Sequence, residues 1–523
     1  MNTRWIKLVL GIFLAAFPAF SAPVRMAVVP VENRTGDTGL DYLEDLIFNR
    51  LVVELYRDRD LELLERGRAD LVFREQRLSP EVLADIRTVV PADLIVGGAF
   101  FSEPEEEKKS IELTARWLGK TGGENTARRE ISSFEPAAVL SAVEELARAT
   151  LVREFGGEEK EPGGGESRIA GKKVAVTGFN NYSSRTEYDP LQKGIIYLLE
   201  ERLGRNPLLQ VLERDKLKEI SREVMLTGTL GGARPDLSLP SADLLVSGCF
   251  AFVGKEFLLL ARVIEVPSTR IAAVFFRRGP VSAVAATVRE AVEEIGDRLA
   301  GGRAESAPAA IYPATSEALL YYARGAELYD RGEYLPAIEN FNRAVAVDPG
   351  YTFGSYQAGR IYEEYLNLPG RAAGAYRQVL AGAGGPELRE KTLLRLGMLS
   401  WIRLDDPEGA IGYFEEFLDE FTDSAYRDVV LSALGDACRE RGEYVRALEV
   451  YRRALDSPGF NPLRGSLLLR AGQCLDRLED YPDARKYFQE ARDGHGDEIH
   501  RSEAGARPVT VGEEAERYLS RLK

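Results

Sequence analysis

The chain has 523 residues, 45% of them hydrophobic, and a formal net charge of −15. That length exceeds what one core supports and, at about 150 residues per domain, implies three or four domains. The acidic balance argues against a nucleic-acid-binding role, which needs a basic face to displace phosphate counterions.

Residues 1–22 read as a secretory signal. Arg4 and Lys7 precede the apolar run Leu8 to Phe17, and Ala19-Phe20-Ser21-Ala22 supplies small residues for cleavage. The run is shorter than the roughly 20 apolar residues a membrane span requires. The expectation is export to the periplasm, with an uncleaved anchor as the alternative.

Two copies of one pattern follow. Arg25-Met-Ala-Val-Val-Pro-Val-Glu-Asn33 is answered by Lys173-Val-Ala-Val-Thr-Gly-Phe-Asn-Asn181. Leu63-Leu-Glu-Arg66 is answered by Val211-Leu-Glu-Arg214, Ala92-Asp-Leu-Ile-Val-Gly-Gly98 by Ala242-Asp-Leu-Leu-Val-Ser-Gly248, and Leu113-Thr-Ala-Arg116 by Leu259-Leu-Ala-Arg262. In each copy an apolar strand leads through a polar loop to an amphipathic helix, such as 40–57 with Leu43, Leu46, Ile47, Leu51 and Leu55 on one face. A second strand ends in Glu-Arg, and a further helical region precedes the Ala-Asp-Leu strand. Hairpins 94–101 with 111–118 and 244–253 with 257–266 come next. A third strand (126–132; 270–277) and a closing helix (136–154; 281–299) complete the unit. Strands and helices mixed in this way predict two α/β domains with mixed sheets, over 24–155 and 172–300. Gly-rich linkers, 156–171 and 301–315, separate the parts. Asp93 and Asp243 are read as turn caps, and Glu65-Arg66 and Glu213-Arg214 as ties between sheet end and helix.

The pattern Val-Ala-Val-x-x-Phe-x-Asn, then Leu-x-Glu-Arg, then Ala-Asp-Leu-Leu-Val-x-Gly and a hairpin resembles the periplasmic domain of the curli secretion channel (CsgG-like) family and the amino-terminal domain of TolB. The resemblance implies an envelope location and assembly with other envelope proteins. Two features of the channel members are missing: a lipid-bearing cysteine near the cleavage site, and hairpins long enough to supply lipid-facing strands.

From residue 316 to 492 a helical signature repeats at spacings of 34 to 38 residues. Gly325, Leu328, Gly332, Tyr334, Ala337, Phe341, Ala344 and Pro349 fall where a tetratricopeptide (TPR) unit has its small, packing and closing residues. The glycine returns at 359, 397, 435 and 472, the second-helix alanine at 372, 410, 447 and 484, and the aromatic as Tyr376, Phe414, Tyr451 and Phe488. About five repeats should stack into an all-α solenoid, because one repeat cannot bury its apolar face alone. A polar tail, 493–523, ends in a helix over 513–522 that caps the open end. The resemblance places the first helix of each repeat along a groove. Its inward candidates for partner contact are Tyr322, Tyr329, Tyr356, Arg360, Glu363, Met398, Trp401, Asp436, Arg439, Gln473 and Arg477.

The residues needed for catalysis are sparse. His495 and His500 stand in the polar tail, without the further ligands a metal site requires. Gly119-Lys-Thr121 and Gly171-Lys-Lys173 lack the upstream glycine of a phosphate loop. Cys249, Cys438 and Cys474 form no metal spacing and are expected as buried apolar side chains, a Cys438–Cys474 bridge being the alternative. The expectation is therefore a non-enzymatic periplasmic scaffold or adaptor, without cofactor or metal. It would bind proteins or peptides of the cell envelope, with peripheral outer-membrane association. The alternatives are an outer-membrane secretion component related to the curli channel, and a cell-wall hydrolase working through carboxylates alone.

Overall fold

The computed structural model describes residues 24–56, 61–65, 92–103, 108–117, 124–155, 172–183, 185–206, 209–212, 242–266, 270–300, 312–382, 384–457, 463–501 and 508–522; elements are numbered among these. The chain divides into two compact units. The first runs to Ala307 and takes in Ala314–Arg331, and the second comprises Pro308–Pro313 and Gly332 onward.

The duplication expected from the sequence appears in the first unit as one topology used twice. The first copy is β1 (Val24–Asn33), α1 (Tyr42–Tyr56), β2 (Leu61–Glu65), β3 (Leu94–Glu103), β4 (Lys108–Trp117), β5 (Glu124–Ile131) and α2 (Pro136–Phe155). Its sheet has the order β2-β1-β3-β4-β5. The second copy is β6 (Lys172–Asn181), α3 (Leu191–Gly204), β7 (Leu209–Leu212), β8 (Leu244–Val253), β9 (Glu256–Glu265), β10 (Ile271–Pro280) and α4 (Val284–Leu299). Its order is β7-β6-β8-β9-β10. In both copies the first strand lies parallel to its two neighbours and the following hairpins are antiparallel. The helical region expected between β2 and β3, Arg66 and Glu213-Arg214 lie outside the described residues.

The residues shared by the copies do the same structural work in each. Asp93 accepts the Arg25 amide at 2.9 Å and Asp243 accepts the Lys173 amide at 2.8 Å, so both close a strand start. Asn33 and Asn181 donate to Asp41 at 2.7 Å and Asp189 at 2.8 Å, shaping the loop before each helix. A Cβ on Gly98 or Gly248 would fall 2.2 Å from the carbonyl oxygen of Glu112 or Leu260, which is why a glycine ends that motif.

The copies stack head to tail. Strand β8 is buried on both faces: its own helices α3 and α4 cover one, and α1 of the first copy packs on the other. Arg262 of β9, 1% exposed, donates to Asn49 of α1 and lies 5.4 Å over the Phe48 ring. Tyr182 donates to Asp45 at 2.7 Å, and Tyr56 to the Ala272 carbonyl at 2.8 Å. A buried charge held by a neutral acceptor and a ring makes this a docking geometry rather than a loose contact.

Helix α5 (Ser316–Asp330), assigned by its sequence to the first repeat, packs in this unit against α3. At Gly194 a Cβ would fall 2.7 Å from that of Ala323, Lys193 pairs with Asp330 at 2.5 Å, and Tyr197 also donates to Asp330. Lys193, Gly194 and Tyr197 are the counterparts of Asp45, Leu46 and Asn49. The same three helix positions receive a sheet in the first copy and a helix in the second.

The second unit is a series of antiparallel helix pairs. These are α6 (Tyr334–Val347), α7 (Phe353–Glu364) with α8 (Pro369–Ala381), α9 (Pro386–Arg403) with α10 (Pro407–Glu420), α11 (Arg427–Glu440) with α12 (Tyr444–Leu455), and α13 (Arg464–Arg477) with α14 (Tyr481–His495). Each glycine of a first helix receives the aromatic of its own second helix. A Cβ on Gly359, Gly397, Gly435 or Gly472 would fall within 2.7 Å of the ring of Tyr376, Phe414, Tyr451 or Phe488. Cys438 and Cys474 are free and buried. A short hairpin, β11 (Ile499–Arg501) and β12 (Pro508–Thr510), occupies part of the tail read as a loop. It leads into α15 (Val511–Arg521), opened by a capping box between Thr510 and Glu513. Tyr518 stacks on Phe488 at 4.8 Å, packing this helix against the last repeat. Among the described residues no helix is long and apolar enough to cross a membrane, and no group of side chains could hold a metal ion.

Candidate functional site

Successive first helices, α9 with α11 and α11 with α13, approach more closely than neighbouring second helices do. The first helices therefore lie on the inner side of the curve, where a partner would be enclosed.

That face is tied together by one arrangement used twice. Tyr376 of α8 donates to Glu363 of α7 at 2.6 Å, and Arg395 of α9 reaches Glu363 at 3.1 Å and Glu364 at 2.9 Å. Two repeats later Tyr451 of α12 donates to Asp436 of α11 at 2.6 Å, and Arg470 of α13 reaches Asp436 at 2.9 Å. Each set joins a second-helix hydroxyl, a first-helix acid and an arginine two residues before the next glycine. Where the second-helix aromatic is Phe414 or Phe488, the ring has no hydroxyl to satisfy and the set is not built.

The electrostatics follow burial. Burial alone would raise the Glu364 carboxyl, but Arg360 and Arg395 hold it below its ordinary range. Asp436 is buried more deeply, which pushes its carboxyl above its ordinary range against the pull of Arg470, Tyr451 and Arg439. Burial, with the facing carboxylates, raises the Tyr376 and Tyr451 hydroxyls, so both stay hydrogen-bond donors. These groups set the register between repeats. They are not arranged as an acid and base around an open cleft.

The expected contact residues fall into three groups. Tyr356 (7% exposed), Asp436 (4%) and Gln473 (7%) are buried, a correction to their reading as groove surface. Tyr356 stacks on Phe353 at 5.8 Å, Asp436 is closed off by its ion pair, and Gln473 donates to Tyr518 of the capping helix at 3.2 Å. Tyr322 (1% exposed) and the partly buried Tyr329 sit on α5 in the first unit, where Tyr329 meets the Tyr197 ring at 6.4 Å. Arg360, Met398, Trp401 and Arg439 are partly exposed on three consecutive first helices, and Arg477 is exposed. Trp401 donates to Glu440 of the next repeat at 2.8 Å, its side chain partly buried against the repeat core, and the adjacent Ile402 is 59% exposed. Arg395 and Arg470 were not among the expected residues. The signal for them is an arginine two before the glycine that follows a repeat whose aromatic is tyrosine.

The tetratricopeptide-repeat family model matches residues 402–462 and 432–498. The C-terminal region is therefore built of TPR-type repeats. Solved structures of similar fold include that of MamA, at 19% identity over 34% of this chain and 90% of that one, with a TM-score of 0.28. YrrB, a TPR protein, matches at 18% over 34% and 85% with 0.29. PilF of Pseudomonas aeruginosa matches at 19% over 39% and 82% with 0.27. No curated protein matches the chain in sequence.

Proposed function

We propose that this protein is a non-enzymatic scaffold that holds an extended segment of another protein along the inner face of its TPR-type repeats. The observation that carries this is the row Arg360, Met398, Trp401 and Arg439. Cationic, thioether and indole side chains stand partly exposed on three consecutive helices, with α7 tied to α9 by the Glu363–Arg395 pair and α9 to α11 by the Trp401–Glu440 hydrogen bond. Aromatic, Met and Arg side chains held on rigid elements are the usual anchors of protein interfaces. The inner face shows hydrogen-bonded structural carboxylates in place of a catalytic pair, which supports binding over hydrolysis.

The envelope setting is part of the same reading. It rests on the signal-like residues 1–22 and on the resemblance of the two α/β domains to the CsgG-like and TolB families, and it makes the partner a periplasmic or outer-membrane-associated protein. The α/β domains, docked through Arg262 and Asn49, would act as one rigid anchor in an envelope assembly.

The test is capture from envelope extracts by the full chain and by a Trp401→Ala, Arg439→Ala double variant. The reading expects one or more proteins to be retained by the native chain and lost, about tenfold or more, with the double variant. Equal recovery by both would remove the inner face as the binding surface.

A further inference from the structure

A cleft of about 470 Å³ opens on the second unit where α6, α7 and α8 meet, lined by Asn342, Val345, Ala346, Pro349, Thr352, Ser355, Gln378, Ala381 and Gly382. It lies at the start of α7, away from Met398 and Trp401. In two later repeats the corresponding notch is filled from within by an arginine held by acids and a carbonyl. Arg389, eight residues before Gly397, donates to the Leu380 carbonyl at 3.2 Å and to Glu420 at 2.6 Å, and also binds Glu416. Arg464, eight residues before Gly472, donates to the Leu455 carbonyl at 2.8 Å and to Glu490 at 3.3 Å. Arg427 holds the same place before Gly435, but Arg453 and Ser457 stand where the acids would be and no such pair forms among the described residues.

In the repeat of α7 and α8 every part of that plug is replaced. Tyr351, fully buried, stands where the arginine would be, Gln378 stands where Glu416 and Glu490 are, and Gly382 stands where Glu420 is, as Gly494 does in the last repeat. Ser355 takes the place of Leu393, Leu431 and Leu468, four residues before each glycine. Val345, the counterpart of Leu380 and Leu455, lines the open notch. Thr352, 3% exposed, stands on the cleft floor at the start of α7, its hydroxyl without a hydrogen-bond partner and capping no amide. A buried hydroxyl left unpaired is unfavourable, which marks the place as one where a partner is missing.

We propose that this unplugged notch is a second binding site, which takes the main-chain amide of an uncharged peptide segment. No lining residue carries a formal charge, so a cationic ligand would be desolvated here without a counter-ion. The site offers hydrogen-bonding of both senses: the Thr352 hydroxyl at the helix start, the amino group of Gln378, whose Oε1 already accepts from Ser355 at 3.3 Å, and the end of α6 at Val345 and Ala346. A peptide group, with one N–H and one C=O, matches that set. Val345, Pro349 and Ala381 provide apolar walls for small side chains. The proposal deepens the reading of the second unit as a peptide binder and rests on it.

Saturation-transfer NMR on the full chain tests it, with N-acetyl-alanyl-alanine amide and N-acetyl-arginine amide as probes. The native chain should saturate the neutral probe more strongly. Ser355→Leu, which installs the residue of the other repeats, should cut that signal about fivefold. Gln378→Glu, at an exposed position and so harmless to folding, should restore the carboxylate and reverse the preference toward arginine. Glu449→Ala, at an exposed position outside both sites, should leave the neutral-probe signal unchanged, while the capture experiment with the Trp401, Arg439 variant reads the inner face separately. No saturation of the neutral probe, a signal indifferent to Ser355→Leu, or a native preference for arginine would each overturn the assignment.

Discussion

Replacing Gly435 by alanine should destabilise the repeats although alanine is the better helix former. The added Cβ would fall 2.3 Å from Cε1 and 2.7 Å from Cδ1 of Tyr451. Carbon atoms in contact prefer about 3.5–4.0 Å, so the ring would have to withdraw by more than an ångström. Tyr451 has no room to do so. It is fully buried, and its hydroxyl is held by Asp436 at 2.6 Å. Overpacking costs about 1–3 kcal/mol and a strained or lost hydrogen bond about 1 more, while the helix gains about 1 from glycine to alanine. The net loss is about 2 kcal/mol, or a roughly thirtyfold increase in local opening. Gly412 on α10 is the control, because a Cβ there meets nothing within 4 Å. Gly412→Ala should slow exchange by about fivefold. Amide hydrogen exchange followed by mass spectrometry measures both, on peptides spanning α11 and α12 for Gly435→Ala and on peptides spanning α10 for Gly412→Ala. Equal stabilisation by the two substitutions would refute the close-packed seam.

Three further outcomes follow from the same geometry. Gly194→Leu, which places the first copy's residue in the second, should expel α5 from α3 and raise amide exchange over 316–330 by about thirtyfold, since its Cβ would meet Ala323 at 2.7 Å. Arg262→Ala should lower the thermal midpoint through a loss of about 2–5 kcal/mol, because it leaves the Asn49 amide oxygen and the Phe48 ring facing a void. Replacing Arg262 by Met and Asn49 by Leu together should restore most of that loss. Cys438 is pushed up to about 11 by burial, so at pH 8 it should alkylate at least about a hundredfold more slowly in the folded chain than in urea. Because its folded value is raised, its contribution to stability is whole below about pH 9 and is lost as the pH climbs toward 11, a decline that Cys438→Ala should remove.

What was legible in the sequence was whatever has a period. The apolar face of α1, the paired landmarks of the two α/β copies and the Gly–Ala–aromatic register of the repeats all arise from side chains packing within one element or one repeat. The reach of Tyr356, Asp436 and Gln473 was misread because a helical period of 3.6 cannot separate a residue facing the groove from one facing the seam with the next helix. Their burial depends on Phe353, Arg470 and Tyr518, which belong to other turns, repeats or the tail. Arg395 and Arg470 escaped notice for the same reason: each is an ordinary surface arginine until the preceding repeat brings its acid alongside. The placement of α5 was hidden by a true sequence signal, its repeat-like glycine at 325. Its docking is decided by Gly194, Lys193 and Tyr197, over a hundred residues away.

The most direct test of the central claim is site-specific photocrosslinking in cells, with a photoreactive residue at Met398 on the inner face or at Glu449 on the outer side of α12. The account predicts a discrete crosslinked protein partner from position 398 that position 449 does not give. The same adduct from both positions, or from 449 alone, would contradict it.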